Sequence, residues 1–189
     1  QQNRFKSIDV AYNCRWEEVA FDTNKPTLIV PIKDNPELLV YTLTNFKDSG
    51  LTKLVNIIVV DDRSTSPLEE ICNSFKVNYL KVDNAKGFNF SMLNNIPSYL
   101  VKKLGGKTVL FWNSDLWIDK IEYFKELLDR HNKNNSTISG SKLLYPYEGL
   151  NESDSTNIKV HFPHMSDGKY KGKVQFAGSK WLPSQLGAF

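Results

Sequence analysis

The sequence predicts an α/β fold, a mostly parallel sheet covered by helices on both faces, and three observations carry that expectation. Apolar runs recur at Thr27–Ile32, Leu54–Val60, Val77–Val82 and Thr108–Trp112, and they are continuous rather than alternating, as strands buried on both faces read. A helix-spaced segment follows each of them. Each run also stops abruptly on polar residues that include at least one acid.

Taken in order, residues 1–25 are mixed, with Trp16, Val19 and Phe21 as the plausible core contacts, and read as an N-terminal extension or a linker. A domain is expected over 26–189. Thr27–Ile32 is the first strand, broken by Lys33-Asp34-Asn35-Pro36. Asn35 and Pro36 suit a helix cap and first helical position. Leu38, Leu39, Thr42, Leu43 and Phe46 then recur at helical spacing until Gly50. Leu54–Val60 ends in Asp61-Asp62-Arg63-Ser64, and Ser66-Pro67 with Glu69 and Glu70 opens an acidic first helical turn. Val77–Val82 ends in Asp83-Asn84. A helix is expected from about Ser91, interrupted near Pro97 and closed by Gly105-Gly106. After the strand at Thr108–Trp112 comes a helix over about Asp119–Asn132, and then a fifth strand at Thr137–Leu144. Tyr145–Gly172 is rich in Pro, Gly, Ser, Asn and Asp and reads as a long loop, with Val174–Ala177 as one more strand.

Composition narrows the class. The 189 residues are enough for a sizeable core, and 40% hydrophobic with 24% charged residues is ordinary for a globular protein. A formal charge of +3 without a long basic run argues against a nucleic-acid partner. No apolar run approaches the roughly 18 residues of a membrane span. Cys14 and Cys72 form neither a disulfide framework nor a metal spacing, so a cytoplasmic, reducing compartment is expected.

Right-handed crossovers set the carboxyl ends of parallel strands along one edge, where open α/β sheets bind ligands. The residues expected there are Lys33-Asp34, Asp61-Asp62-Arg63, Asp83-Asn84 with Lys86, and Asn113-Ser114-Asp115. Acids beside bases suit a metal-bridged phosphate ligand: Mg²⁺ or Mn²⁺ takes one or two carboxylates and the phosphate oxygens. Asp115 is the best metal ligand, with Asn113 as a neutral partner, and Lys33, Arg63 or Lys86 suit phosphate oxygens. Against this stands the plainer reading of Asn113-Ser114-Asp115 as a turn. A Gly-x-Gly-x-x-Gly fingerprint after the first strand, a P-loop and a Gly-x-Ser-x-Gly elbow are all absent, which weighs against a dinucleotide-binding dehydrogenase, a P-loop enzyme and a hydrolase.

At these residues the sequence resembles family 2 glycosyltransferases. Val30-Pro31-Ile32-Lys33-Asp34 with Pro36-Glu37-Leu38-Leu39 is similar to their first-strand motif, and Val59-Val60-Asp61-Asp62-Arg63-Ser64 to their Val-Asp-Asp-x-Ser motif. Asn84-x-x-Gly87-Phe88-Asn89-Phe90-Ser91-x-x-Asn94-Asn95 resembles a segment of the rhamnosyltransferase-like, cell-surface-polysaccharide branch. Asn113-Ser114-Asp115 sits where the family carries an Asp-x-Asp metal motif, and Gly140–Pro146 and Val174–Gly178 resemble the next two landmarks. The resemblance implies the GT-A fold, a Rossmann-like three-layer sandwich. It implies a nucleotide-sugar donor held by Pro31, Lys33, Asp34, Asp61, Asp62, Arg63, Asn84, Lys86 and Asn94, with Asp62 or Asp61 near the base and Asp34 near the nucleoside. It also implies Mn²⁺ or Mg²⁺ on Asp115 and Asn113, and transfer to a glycan or polysaccharide acceptor with inversion.

This sequence departs from the family pattern in Asn113, where many members have Asp, and in the long loop. Only Ser179–Phe189 follow the Gln-x-Ala-Gly landmark, so a near-complete donor half with a short or rebuilt acceptor half is expected, in a chain that is part of something longer. His161 and His164 with Asp154 and Asp167 could supply a substitute base, although solvated loop residues are the simpler reading. Trp117 and Trp181 could stack on a sugar, while Trp112, within a strand, suits the core. Asn89 and Asn94 fit helix capping as well as nucleotide contact. The alternatives are a non-catalytic nucleotide-sugar-binding module and a sugar-1-phosphate nucleotidyltransferase; the latter would need a Gly- and Arg-rich loop after the first strand, which Lys33–Pro36 lacks.

Overall fold

The computed structural model describes residues 14–17, 21–83, 87–135, 138–139, 143–144 and 174–176. The chain divides into two compact units, Gln1–Ile121 and Glu122–Phe189.

In the first unit the sheet strands are β1 (Cys14–Glu17), β2 (Thr27–Ile32), β3 (Asn56–Asp61), β4 (Asn78–Val82) and β5 (Val109–Phe111), in the order β1-β4-β3-β2-β5. The pairs β2–β3, β3–β4 and β2–β5 are parallel. β1 pairs antiparallel with β4, with Cys14 opposite Val82. The N-terminal stretch expected as an extension thus supplies an edge strand. Four residues flanked by mixed polar sequence carry no period that would reveal it, and the pairing partner lies far along the chain.

Helices α1 (Pro36–Asp48), α2 (Leu68–Phe75) and α3 (Phe90–Lys103) connect the strands. The connections through α1 and α2 step across the sheet in one direction, and the one through α3 returns past β3 and β2 to β5. Right-handed crossovers therefore place α1 and α2 on one face and α3 on the other. Residue parity agrees. Ile29, Ile58, Val60, Leu80 and Val82 form one buried cluster with Leu93, Ile96, Leu100 and Val101 of α3. Leu28, Val30, Ile57, Val59 and Tyr79, at the intervening positions, are buried too and face the opposite way.

The helix ends follow their sequence signals. Asn35 and Asn89 cap α1 and α3, accepting from the backbone N–H of Leu38 and Met92. Gly105 at φ +90° ends α3 in a Schellman turn, its N–H on Lys102 O and that of Gly106 on Val101 O. Pro97 does not interrupt α3, contrary to expectation. The apolar stripe of Leu93, Ile96, Leu100 and Val101 continues on both sides of it, and that burial outweighs one missing helical hydrogen bond.

Helix α4 (Ile121–Lys133), all but its first residue in the second unit, carries Glu122 in its first turn and Arg130, His131 and Lys133 in its last, as the helix dipole favours. β6 (Leu143–Leu144) pairs antiparallel with β7 (Val174–Phe176). The strand expected over Thr137–Leu144 is thus limited to its last two residues among those described, since Ile138 and Ser139 are outside any strand. The long loop, with Asp154, His161, His164 and Asp167, and the Trp181 region lie outside the described residues.

Candidate functional site

The carboxyl ends of β2, β3, β4 and β5 lie along one edge, and α1, α2 and α3 begin there. β2 leads into α1 on one face of the sheet and its neighbour β5 is entered from α3 on the other, so the crevice outside their ends is the topological switch point. Pro31 shapes it. Backbone groups of Thr27 and Ile29 face β5, those of Pro26, Val30 and Ile32 face β3, and Pro31 by parity faces β5. The β5 ladder has already ended there, after Trp112 N–H bonds Ile29 O at 3.0 Å. A proline is tolerated in this central strand because its missing N–H falls where the neighbour has turned away. Pro31 is itself buried, and its side chain offers a ligand no hydrogen bond.

Beyond Phe111, Asn113–Leu116 is a turn, closed by Leu116 N–H on Asn113 O at 3.1 Å and by the Trp112 indole N–H on Leu116 O at 2.9 Å. α1 holds it in place. The buried Thr42 hydroxyl donates to Ser114 O at 2.6 Å, and the Asn45 side chain exchanges two hydrogen bonds with the backbone of Ile118, at 2.8 and 3.0 Å. Trp112 packs edge-on against Phe46, and Trp117 against Tyr41. Thr42 and Asn45 went unnoticed in the sequence as positioning groups; Thr42 read as part of an apolar stripe, and Asn45 sits at no motif. Asn113 is exposed and Asp115 half-buried.

At the end of β3 the two neighbouring acids behave differently. Asp61 is buried, and its carboxylate accepts the Ser64 N–H at 2.7 Å and the Tyr79 hydroxyl at 2.5 Å. Both oxygens are engaged within the protein. Burial, then the nearby Asp61 charge, pushes the Cys72 thiol up to about 12. Asp62 has 0% side-chain exposure, and neither of its oxygens has a hydrogen-bond partner. Lys33 Nζ stands 3.8 Å from one oxygen and Arg63 Nε 3.9 Å from the other. Those separations give charge neutralisation without hydrogen bonding.

The β2 and β3 loops are stitched together. Asp34 N–H donates to Ser64 Oγ at 2.8 Å, while Asp34 Oδ1 accepts from Thr65 N–H at 2.6 Å and Thr65 Oγ1 at 3.1 Å. The Thr65 backbone bond is the main cause that holds the Asp34 carboxyl below its ordinary value of 3.8. Asp34 and Arg63 both adopt left-handed backbone, at φ 43° and 53°.

Asn94 lies near the start of α3, which topology puts at the same edge. It is buried, its amide donates to Phe90 O at 2.8 Å, and its Oδ1 has no hydrogen-bond partner. Asn89 is a helix cap, as the plainer sequence reading had it. Asn84 and Lys86 lie outside the described residues. Among the described residues no three His, Cys, Asp or Glu side chains gather to hold an ion. Asn113 and Asp115 offer one carboxylate and one amide oxygen, a donor set that fits an ion shared with a diphosphate and water rather than one held by protein alone.

A doubly wound sheet with a switch point lined by acids and bases is a nucleotide-binding arrangement, here that of the GT-A fold. The chain belongs to Glycosyl transferase family 2, whose family model matches residues 27–181. It is similar to the O-antigen biosynthesis protein RfbC of Myxococcus xanthus, at 27% identity over 129 residues, covering 66% of this chain and 10% of that protein. Among solved structures it resembles S. aureus TarS, at 23% identity and a TM-score of 0.44, covering 67% of this chain and 22% of the other. A structure of TarS 1–349 in complex with UDP matches at 23% identity and a TM-score of 0.39, over 68% and 37% of the two chains. The chain therefore spans about a tenth of the length of the curated relative it matches.

Proposed function

We propose that this edge binds a nucleotide-diphosphate-sugar donor and that the protein carrying it transfers the sugar to a glycan or polysaccharide hydroxyl with inversion. The observation that carries the reading is Asp62, a wholly buried carboxylate with both oxygens lacking hydrogen-bond partners at the carboxyl edge of a family 2 domain. Burying a charge without hydrogen bonds costs several kcal/mol, roughly, and a ligand N–H would recover part of it. Asp62 accepts from the base, Asp34 faces the nucleoside, and Lys33 and Arg63 supply positive charge to the phosphates. Asn94 Oδ1 is a further acceptor at the same edge.

Asp115, with Asn113, would hold Mn²⁺ or Mg²⁺ on the diphosphate, where the ion supplies charge stabilisation for the departing nucleoside diphosphate. The turn that carries them is fixed before ligand arrives by Thr42, Asn45 and Trp112, so little ordering remains to be done on binding. The chain's 10% share of the RfbC relative supports a second reading, a donor-binding domain whose catalytic base lies elsewhere in a longer protein. A transfer and donor-hydrolysis assay on this chain separates the two: binding without turnover favours the second.

The test is a thermal-shift and calorimetric screen of nucleoside diphosphates and nucleotide sugars with and without Mn²⁺. Asp115→Ala is expected to abolish the Mn²⁺-dependent part of binding with unchanged circular dichroism. Metal-dependent binding that survives in that variant sinks the assignment of Asp115.

A further inference from the structure

Asp61 poses a separate question, because it is a fully buried acid that no ion pair among the described residues involves. Its charge is held by two donors, the Ser64 N–H and the hydroxyl of Tyr79, a residue 2% exposed on the neighbouring strand β4 and outside every motif noted in the sequence. Apolar residues would fill such a place at less cost, so the acid calls for a reason other than packing.

The hydrogen bonds supply one. From Tyr79 they run to Asp61, from Asp61 to Ser64, from Ser64 Oγ to the N–H of Asp34, and from Asp34 Oδ1 to Thr65. The chain of bonds spans two of the non-glycine residues held at positive φ, Arg63 and Asp34. Left-handed backbone at non-glycine residues persists only where the surroundings over-determine it. Between the two bonded ends of the β3 turn, Asp61 and Ser64, lie Asp62 and Arg63, the orphaned carboxylate and one of its two flanking cations.

We infer that Tyr79 is a positioning residue for the donor site, acting through Asp61 and Ser64 to set the orientation of Asp62, Arg63 and Asp34. The inference rests on the donor reading given above. Tyr79 itself touches no ligand. Its hydroxyl anchors the buried end of a relay whose outer end is the Asp34–Thr65 pair, and losing the anchor frees the turn that aims Asp62.

The experiment uses the full chain with UDP, GDP, CDP and dTDP as probes, each titrated calorimetrically with Mn²⁺ present. In Tyr79→Phe the Kd of whichever probe binds rises about tenfold or more, the range that a lost hydrogen bond to a charge spans. Ile96→Val, in the α3 cluster on the opposite sheet face, serves as the control: it lowers the melting temperature and leaves Kd unchanged. Ser64→Ala weakens binding as well, and the double variant Tyr79→Phe/Ser64→Ala is no weaker than the worse single variant, because both break one path. A Kd for Tyr79→Phe within about twofold of wild type, or fully additive losses in the double variant, overturns the inference. Should Tyr79→Phe not fold, Asp61→Asn takes its place with the same two outcomes. Wild-type protein that binds none of the four probes overturns the donor reading and this inference with it. Wild-type binding with unaffected variants overturns the relay alone.

Discussion

Asp62→Asn is expected to move stability and ligand affinity independently, and the structure sets both magnitudes. Lys33 and Arg63 lie 3.8 and 3.9 Å from the Asp62 oxygens. At an effective dielectric of about 20 each attraction would be roughly 4 kcal/mol. The cations are 41% and 27% exposed in their side chains, so solvent screening removes much of that. Against the remainder stands the desolvation of a carboxylate with 0% exposure and no hydrogen bonds, again several kcal/mol, roughly. The two nearly cancel. The amide, of the same shape and without the charge, should leave unfolding free energy within about 1 kcal/mol of wild type, or raise it. Nucleotide binding should fall by about 10- to 100-fold, since a hydrogen bond to a charged acceptor is worth about 1.5–3 kcal/mol. Urea unfolding and calorimetric titration on the same preparation measure both. A loss of more than about 2 kcal/mol in stability with unchanged nucleotide affinity would show Asp62 to be a structural ion-pair partner and would refute the reasoning.

Three further outcomes are expected. Thr42→Val removes the 2.6 Å hydrogen bond from a fully buried hydroxyl to Ser114 O, and should cost about 1–3 kcal/mol in urea unfolding while weakening Mn²⁺-dependent binding. Lys76 ends α2 at φ 56° in an exposed Schellman turn, so Lys76→Gly should stabilise by about 0.5–1 kcal/mol, read as a rise in the urea midpoint. The Asp34 carboxyl, held down first by the Thr65 N–H, has a folded-state value below its unfolded one; its contribution is present above the ordinary value of 3.8 and is lost as pH falls through the lower folded value. Asp34→Asn should lack that part of the acid dependence when melts are compared on either side of 3.8.

Much of the fold was legible because its signals are local. Continuous apolar runs marked β2 to β5, and Asn35, Asn89 and Gly105 marked helix ends, since a cap or a left-handed turn is satisfied within a few residues. What escaped depends on distant partners. β1 has no pattern of its own and exists through pairing with β4, whose residues lie more than 60 positions away. Pro97 read as a break because a missing N–H is a local fact, whereas the stripe that keeps α3 intact is a property of the sheet beneath it. Thr42 and Asn45 read as unremarkable helix residues, and only the fold shows them bonded to a turn 72 and 73 positions further on.

The acids at the strand ends show the same limit more sharply. Sequence placed Asp34, Asp61, Asp62 and Asp115 along one edge and could not sort them, because adjacent residues in a strand differ only in which way they point. Parity sorts the first pair. Asp61 takes the same side as Val59 and Tyr79 and turns into the α1–α2 layer, where the Tyr79 hydroxyl meets it. Asp62, just past the strand, has its N–H on Ile32 O, so its backbone still extends the ladder while its side chain meets no donor. Asp34 is fixed by Thr65, and Asp115 rides on a turn bolted to α1. One acid thus builds the scaffold, one is pre-aimed, one is buried without hydrogen bonds, and one stands on the turn outside β5. Such a division of labour explains why an edge so rich in carboxylates need not repel itself: hydrogen bonds from Ser64 and Tyr79 stabilise the Asp61 charge, those from Thr65 the Asp34 charge, and two cations offset that of Asp62.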